Sequence, residues 1–185
     1  MNSNPHPDLN HILFSAHQIE KRVNEMADEI AHDFGEEEFL AVSIMKGSFV
    51  FVADLIRALF QRKAHPILDF ITLSSYDKGT ASCGSVSVLK ELSLPIAGRR
   101  ILIIDDILDT GLTLQTASQL FCERGGLNVR TCVLLDKPAR RTIPFEANYC
   151  GFKIENVFII GYGLDYDHRY RHLPFLTTLT PPPSP

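Results

Sequence analysis

The chain has 185 residues, of which 45% are hydrophobic and 22% are charged, and its formal net charge is −4 at pH 7. This length suits one globular domain whose core is large enough to fold without a disulfide or a metal ion. The ordinary apolar and charged fractions argue against a disordered protein. The sequence pI of 5.9 argues against a general attraction to nucleic acid or to anionic membranes.

The cysteines and the apolar runs indicate a reduced, cytoplasmic protein with no membrane partner. Cys83, Cys122, Cys132 and Cys150 form no CxxC pair and no zinc-finger spacing. Residues 1–14 are polar and lack the basic-then-apolar order of a signal peptide. No apolar run approaches the roughly 20 residues that a membrane-spanning helix needs.

In the first half of the chain, hydrophobic spacing predicts two helices and three strands. Apolar residues in steps of three and four predict a helix over 15–34, with Ser15 as its N-cap and Gly35 as its stop. The following segments are predicted to be a strand (39–45), a helix (49–62), a strand (66–73), a long polar loop (74–84) and a strand (85–89).

In the second half, strands and helices alternate. The predicted segments are a strand (100–104), an acidic loop (105–111), a helix (112–124) ended by Gly125-Gly126, and strands over 129–135 and 156–160. This alternation predicts an α/β domain with a mainly parallel sheet and helices on both faces. We expect a single domain over residues 1–180, followed by a loose Pro-rich tail over 181–185.

The acidic loop has the composition of a phosphate and ribose site. It joins the end of an apolar strand to the start of a helix, where free amides and Gly111 can hold a phosphate group. Thr110 and Thr113 add hydroxyl donors. Asp105 and Asp106 would repel a phosphate, but they can accept hydrogen bonds from two neighbouring sugar hydroxyls. Any one of these residues also fits a helix cap or a solvated turn; the complete arrangement favours the ligand site.

Five stretches of the chain resemble one known family. Ile101–Thr113, ILIIDDILDTGLT, is similar to the phosphoribosyl-pyrophosphate motif of type I phosphoribosyltransferases, and the wider pattern over residues 10–176 resembles their hypoxanthine-guanine branch. The other matching stretches are Ile44–Gly47 (first loop, diphosphate), Ser75-Tyr76 (closing lid), and Leu134–Lys137 with Val157–Tyr166 (purine site).

The resemblance implies a fold and a reaction. The fold is that of type I phosphoribosyltransferases, a mainly parallel sheet flanked by helices with a small hood formed by terminal segments. The reaction transfers 5-phosphoribosyl from phosphoribosyl pyrophosphate to a 6-oxopurine and releases pyrophosphate, as in purine salvage. Asp109 is then the general base near purine N7. Lys137 donates to the purine O6, and Phe158 stacks on the ring beside Ile159; packing in the core is the alternative role for Phe158.

The same resemblance assigns the remaining substrate contacts. Asp105 and Asp106 hold the ribose hydroxyls, and together with Asp165 they are the implied ligands of Mg²⁺. The other implied substrate contacts are Lys46, Gly47 and Arg171 (diphosphate), Thr110, Gly111, Leu112 and Thr113 (5′-phosphate), and Ser75 and Tyr76 (lid). The resemblance further implies a homodimer or a homotetramer.

Other functions are left open by the fold. The main alternative is a regulator that uses the same fold to sense nucleotides and to bind RNA or DNA. A protein that binds nucleic acid needs a cluster of basic side chains on one face. Only the short pairs Arg99-Arg100 and Arg140-Arg141 offer one, and the net charge is negative. A pyrimidine or adenine transferase is disfavoured by Lys137 and by the run from Phe158 to Asp165.

Three departures from the family pattern bear on base preference. Asp105 stands where relatives often carry Glu, and Leu112 stands where some carry Lys, so one phosphate-side charge is missing. Pro138 follows Lys137 directly and affects how that loop presents the lysine. None of these departures removes a catalytic group.

Overall fold

A computed structural model describes residues 9–75 and 86–179, which contain three α-helices and nine strands. The helices are α1 (Ala16–Phe34), α2 (Phe49–Phe60) and α3 (Leu112–Glu123). The strands are β1 (Leu9–Phe14), β2 (Glu38–Met45), β3 (His65–Ser75), β4 (Val86–Lys90), β5 (Arg100–Leu108), β6 (Leu127–Asp136), β7 (Tyr149–Lys153), β8 (Ile159–Ile160) and β9 (Leu176–Leu179).

A six-stranded sheet forms the centre of the fold. Its order is β4-β3-β2-β5-β6-β7, and every neighbouring pair from β3 to β7 is parallel. Only β4 runs antiparallel, paired with β3. The mainly parallel sheet and the hairpin-like position of the strand predicted over 85–89 are therefore confirmed. The parallel strands bring the ends of β2, β5 and β6 to the same edge of the sheet.

Helices cover both faces of this sheet, as predicted. The helices α1 and α2 pack on one face, where side chains such as Phe39, Ala41 and Leu102 are fully buried. The helix α3 packs on the other face, against Leu40 and Val42. The alternation along β2 follows from the two-residue period of a strand, and burial on both faces explains why this strand is a continuous apolar run.

The first helix follows its sequence signals closely. The Ser15 hydroxyl accepts from the Gln18 amide at 3.3 Å, and the Gln18 side chain accepts from the Ser15 amide at 2.9 Å. This reciprocal capping box satisfies two amides that would otherwise lack partners. Gly35 ends the helix at φ 65°, a conformation that suits glycine. Among the described residues, no helix is long and apolar enough to cross a membrane.

A second sheet of three strands, order β1-β9-β8, forms a hood built from both ends of the described chain. Strand β9 pairs antiparallel with β1 on one side and with β8 on the other. A small core of Ile160, Leu173 and Leu179 lies beneath this sheet. The hood that the family resemblance implied is therefore present.

Several boundaries differ from those predicted. The strand β5 continues to Leu108, so the prediction that a loop begins at Asp105 was wrong. Aspartate disfavours strands, but pairing of Asp105 with Val133 in β6 overrides that preference. The strand predicted over 156–160 is only Ile159–Ile160, and β1, β7 and β9 were not predicted. These short strands depend on distant partners and leave little periodic signal.

Two predictions fall partly or wholly outside the described residues. The Pro-rich tail over 181–185 lies outside them, as does most of the loop predicted over 74–84, including Tyr76. Ser75 is the last residue of β3, and the backbone there pairs with β4.

Candidate active site

A cleft of about 380 Å³ opens at the carboxyl ends of the parallel strands. Lys46 directly follows β2, Asp109 directly follows β5, and Lys137 directly follows β6. In open α/β sheets this edge is where ligands bind. The segment after β8 completes the wall. The lining residues are Lys46, Gly47, Asp106, Ile107, Asp109, Lys137, Phe158, Ile159, Leu164, Asp165 and Arg171.

The loop after β2 packs tightly against two other segments of the site. A Cβ atom at Gly47 would lie 1.5 Å from Oδ2 of Asp106, and a Cβ atom at Gly163 would lie 2.2 Å from the carbonyl oxygen of Gly47. Neither position has room for a side chain. The Met45–Lys46 peptide bond in this loop is cis. Glycine at these two positions therefore lets three chain segments meet at one wall of the cleft.

The acidic pair near the end of β5 is largely shielded from solvent, with Asp105 buried and Asp106 half-buried. Burial raises the pKa of Asp105 well above its usual range, and the neighbouring charge of Asp106 raises it further. Burial also raises the pKa of Asp106, although its hydrogen bond with Asp105 and the positive charge of Arg171 act in the opposite direction. Asp106 lines the cleft, whereas Asp105 lies behind it. Hydroxyl donors or a cation placed beside the pair would favour its charged form.

A carboxylate and an ammonium group face the same cleft from neighbouring strands. Lys137 is only 8% exposed, and this burial lowers its pKa. The nearby charge of Asp109 raises the same pKa, and that of Arg140 lowers it. The Asp109 carboxylate oxygen Oδ1 lies 2.8 Å from Nε of Arg140. The cleft thus offers a hydrogen-bond acceptor and a hydrogen-bond donor to one ligand.

The helix α3 begins beside the cleft, with Gly111 at φ 95° as its N-cap residue. The amide of Leu112 makes a long 3.4 Å bond to the Thr110 hydroxyl. The first amides of a helix lack intrahelical partners and therefore suit an anion. A Cβ atom at Gly111 would lie 3.2 Å from Cδ of Arg141. The Thr110–Thr113 segment is thus held against the segment that follows Lys137, next to the cleft rather than in its lining.

The aromatic side chain of Phe158 also lines the cleft. Phe158 is 41% exposed, so it does not belong to the core, and this exposure excludes the packing role considered from the sequence. The ring of Tyr166 meets it edge-on, with centroids 5.5 Å apart. The exposed part of the Phe158 ring is therefore available for stacking on a flat ligand.

An ion pair joins two more residues of the cleft. The Arg171 guanidinium lies 2.7 Å from Oδ1 of Asp165 and donates to the carbonyl oxygen of Gly163 at 2.7 Å. The other carboxylate oxygen of Asp165 accepts from the amide of His168 at 2.9 Å. These bonds fold the segment after β8 over the carboxyl edge of the central sheet.

Comparisons with known proteins agree with this geometry. The phosphoribosyl transferase domain model matches residues 11–167. The chain belongs to the phosphoribosyltransferase family. It is 42% identical over 174 residues to the hypoxanthine-guanine phosphoribosyltransferase of Staphylococcus epidermidis, covering 94% of this chain and 96% of that relative. Its branch within the family is therefore the hypoxanthine-guanine branch.

Solved structures of the same branch share the fold. A Trypanosoma cruzi hypoxanthine phosphoribosyltransferase superposes with a TM-score of 0.91 at 38% identity, covering 96% of this chain and 95% of that one. A second structure of the T. cruzi enzyme, in complex with its product IMP, gives a TM-score of 0.89 at 39% identity, with 97% and 98% of the two chains covered. The type I phosphoribosyltransferase fold expected from the sequence is thereby confirmed.

The structure brings most of the sequence-predicted residues of this family site together, but not all of them. Nine of them line the cleft: Lys46, Gly47, Asp106, Asp109, Lys137, Phe158, Ile159, Asp165 and Arg171. Asp105 and the Thr110–Thr113 segment lie beside it, Ser75 ends β3, and Tyr76 is outside the described residues.

The implied magnesium ligands are only partly grouped. Across residues 9–75 and 86–179, no three His, Cys, Asp or Glu side chains converge as a metal site would require. Asp106 and Asp165 share the cleft, whereas Asp105 does not line it. Two carboxylates are the oxygen donors that Mg²⁺ prefers, and this ion usually takes its remaining ligands from water and substrate phosphates. The donor set therefore fits a magnesium ion bound jointly with a diphosphate.

Two arginines beside the cleft were not named as site residues from the sequence. Arg141 is mostly buried and donates both to the main-chain oxygen of Asp109 and to the carboxylate of Asp136. Arg140 pairs with the side chain of Asp109. Their position three and four residues after Lys137, at the end of the strand next to β5, is the signal that could have identified them.

Proposed function

We propose that this protein transfers 5-phosphoribosyl from phosphoribosyl pyrophosphate to a 6-oxopurine, giving IMP or GMP and pyrophosphate in purine salvage. The observation that carries the proposal is the pairing of Asp109 and Lys137 in one cleft, at the ends of adjacent strands of a hypoxanthine-guanine family fold. One group accepts a proton or hydrogen bond and the other donates one, which suits N7 and O6 of the same purine edge.

The base is held by three kinds of contact. Lys137 donates to O6, which favours hypoxanthine and guanine over adenine, because adenine carries an amino donor at that position. The exposed ring of Phe158 stacks on the purine, next to Ile159. Asp109 accepts the hydrogen bond or proton from N7 of the base as the new glycosidic bond forms. Its negative charge also stabilises the positive charge that develops on the sugar.

The phosphoribosyl donor lies along the carboxyl edge of the sheet. Amides and hydroxyls of the Thr110–Thr113 segment, including Gly111 and Leu112, bind its 5′-phosphate. Asp105 and Asp106 accept from the ribose hydroxyls. The amides around Lys46 and Gly47 and the guanidinium of Arg171 bind the diphosphate. Ser75 and Tyr76 belong to a lid that excludes water from the reactive sugar.

Magnesium dependence is part of the proposal. Asp106 and Asp165, which share the cleft, would hold the ion together with the diphosphate and water. Asp105 is the third carboxylate that the sequence suggested. It would orient Asp106 rather than bind the ion, since its Oδ1 accepts a hydrogen bond from the Asp106 amide at 2.9 Å. When bound, the ion supplies positive charge that stabilises the leaving diphosphate.

Location and assembly complete the proposal. A highly charged sugar phosphate does not cross an apolar membrane unaided, which supports a cytoplasmic enzyme that works in the same compartment as its donor. Phe49 and Phe60 on α2 are 41% and 76% exposed. Exposed apolar side chains commonly mark an interface between subunits, which supports a homodimer or a homotetramer. Light scattering should give two or four times the chain mass of 20.8 kDa; a mass of one chain would contradict this.

Base-by-base kinetics with the Asp109→Asn variant tests the catalytic assignment. Wild-type protein mixed with Mg²⁺ and phosphoribosyl pyrophosphate should release pyrophosphate with hypoxanthine or guanine and not with adenine. Asp109→Asn should lower kcat by roughly 100-fold or more while leaving donor affinity largely unchanged, since general-base catalysis commonly contributes that factor.

A matched control separates catalysis from a general charge effect. Asp28 is a largely exposed aspartate on α1, paired with Arg62 far from the cleft. Asp28→Asn should leave kcat unchanged. If no 6-oxopurine is turned over by the wild type, the proposed function is wrong; if Asp109→Asn turns over at the wild-type rate, only the role of Asp109 is wrong.

A further inference from the structure

The carboxylate of Asp109 presents its two oxygens to different surroundings. Oδ1 is fully buried and lies 2.8 Å from Nε of Arg140. The contact is an ion pair, since its angles do not form a hydrogen bond. The Asp109 side chain as a whole is 36% exposed and borders the cleft. Because Oδ1 is buried, Oδ2 is the carboxylate oxygen that remains for a ligand.

The main chain around Arg140 is fixed relative to Asp109. The amide of Lys137 donates to the carbonyl oxygen of Leu108 at 2.9 Å, and the amide of Thr142 donates to that of Thr110 at 3.1 Å. These two bonds flank Arg140 on one side and Asp109 on the other. The short 3₁₀ turn over Pro138–Arg140 therefore projects the guanidinium from a defined position.

The positive charge of Arg140, 2.8 Å from the buried Oδ1, favours the carboxylate orientation in which this oxygen stays beside the guanidinium. Without Arg140, the Asp109 carboxylate would be free to rotate, and the neighbouring ammonium of Lys137 would compete for it. A base in the wrong orientation loses rate even where its affinity for substrate is kept, because small misplacements of a catalytic group are costly.

We propose that Arg140 is a positioning residue for catalysis, which holds Oδ1 of Asp109 so that Oδ2 faces the purine. This inference rests on the proposed function, in which Asp109 is the base. Arg140 does not line the cleft, so it acts through Asp109 rather than on the substrate. Its side chain is 47% exposed, and exposed ion pairs contribute little to stability, so its replacement should leave the fold intact.

A double-mutant cycle tests the proposal. In wild-type protein, Arg140→Gln should lower kcat by roughly 10-fold with KM for phosphoribosyl pyrophosphate unchanged, as expected for a misoriented base. Arg140→Lys should restore part of the lost kcat. In the Asp109→Asn background, Arg140→Gln should have almost no further effect, because the two residues act as one unit.

The control is Arg124→Gln, which removes the similarly exposed arginine that pairs with Glu91 away from the cleft. This variant should keep the wild-type kcat. Equal kcat values for Arg140→Gln and wild type, or a full 10-fold loss on the Asp109→Asn background, would overturn the positioning role alone. Absence of turnover in the wild type would overturn the proposed function as well.

Discussion

At the scale of single residues, the proposed hydrogen-bond donor Lys137 lies in an environment that disfavours its charged form. The side chain is 8% exposed, and burial is the main reason that its pKa is lowered. A lysine donates most strongly to O6 when it is protonated. The proposed hydrogen bond should therefore weaken as pH rises through this lowered pKa. The charge of Asp109 counters the effect of burial and keeps the ammonium form available in the cleft.

The pH dependence of purine turnover should report this lowered pKa. In wild-type protein, kcat/KM for hypoxanthine should fall on the alkaline side at a pH below the pKa of about 10.4 of an ordinary lysine. In Lys137→Arg the larger guanidinium fits the site less well, so kcat/KM should be lower at every pH. Because the guanidinium stays charged, this variant should lack the alkaline fall in kcat/KM. The ratio of the two profiles cancels ionisation of the substrate. Parallel profiles would contradict the assignment.

The acidic pair shows a residue-scale conflict between stability and function. The raised pKa values of Asp105 and Asp106 mean that the folded state binds protons more readily than the unfolded state. Stability is then favoured at low pH and is lost as pH rises through the folded pKa values. A bound phosphoribosyl donor would offer ribose hydroxyls, and the Mg²⁺ proposed to bind with it would add positive charge to that of Arg171. Local violations of folding preferences are typical of functional sites.

At the scale of elements, the site depends on contacts between loops rather than on any one helix. The turn after β8 reaches the loop after β2 at Gly163 and Gly47, and Arg171 holds that turn by donating to the carbonyl oxygen of Gly163. The hood and the central sheet are thereby joined at the wall of the cleft. A side chain inserted at this contact should separate the two loops.

Gly163→Ala should disrupt the site more than it disrupts the fold. The new Cβ would lie 2.2 Å from a main-chain oxygen, which cannot move without shifting the loop after β2. We expect at least a 10-fold loss in kcat/KM for phosphoribosyl pyrophosphate, roughly the effect of displacing binding groups by about 1 Å. Steady-state kinetics measures it.

The matched control is Gly98→Ala. Gly163 has a positive φ of 99° and Gly98 one of 76°, but nothing lies within 4 Å of the Cβ position at Gly98. This variant should lose about 1–2 kcal/mol of unfolding free energy from backbone strain and keep its kcat/KM. Equal kinetic losses in the two variants would show that backbone strain, not the contact between loops, is responsible.

At the scale of the whole molecule, the distribution of charge disfavours nucleic-acid binding. The two basic pairs noted in the sequence are each compensated by acidic partners. Arg99 and Arg100 pair with Glu38 and Glu37 at 3.6 and 2.9 Å. Arg140 and Arg141 pair with Asp109 and Asp136. Since these arginines form no exposed basic stripe, the regulator alternative has no support in the described residues.

A gel-shift assay should therefore show no complex at physiological salt. Labelled single-stranded RNA and duplex DNA, mixed with micromolar protein at about 0.15 M salt, should migrate as free nucleic acid, because screening is strong and few phosphates can be neutralised. A parallel assay at low salt distinguishes weak general attraction from a specific site. A retained band at physiological salt would restore the regulator alternative.

The sequence by itself determined the elements whose residues carry a local period or cap. The helix α1 is an example, because its apolar spacing and the Ser15–Gln18 capping box lie within a few residues. The same holds for the motif from Ile101 to Thr113, in which a strand, an acidic end and a helix start are consecutive. These features predicted the fold class, the family and most residues of the cleft.

Only the tertiary structure decided features that depend on distant partners. The extension of β5 through Asp105 depends on pairing with β6, and the hood depends on β1 meeting β9 from the other end of the chain. The ion pair between Asp109 and Arg140, 31 residues apart in the sequence, exists because adjacent parallel strands end at one edge. Periodicity reports the environment along one element, whereas such contacts arise from the register between elements, which no local pattern contains.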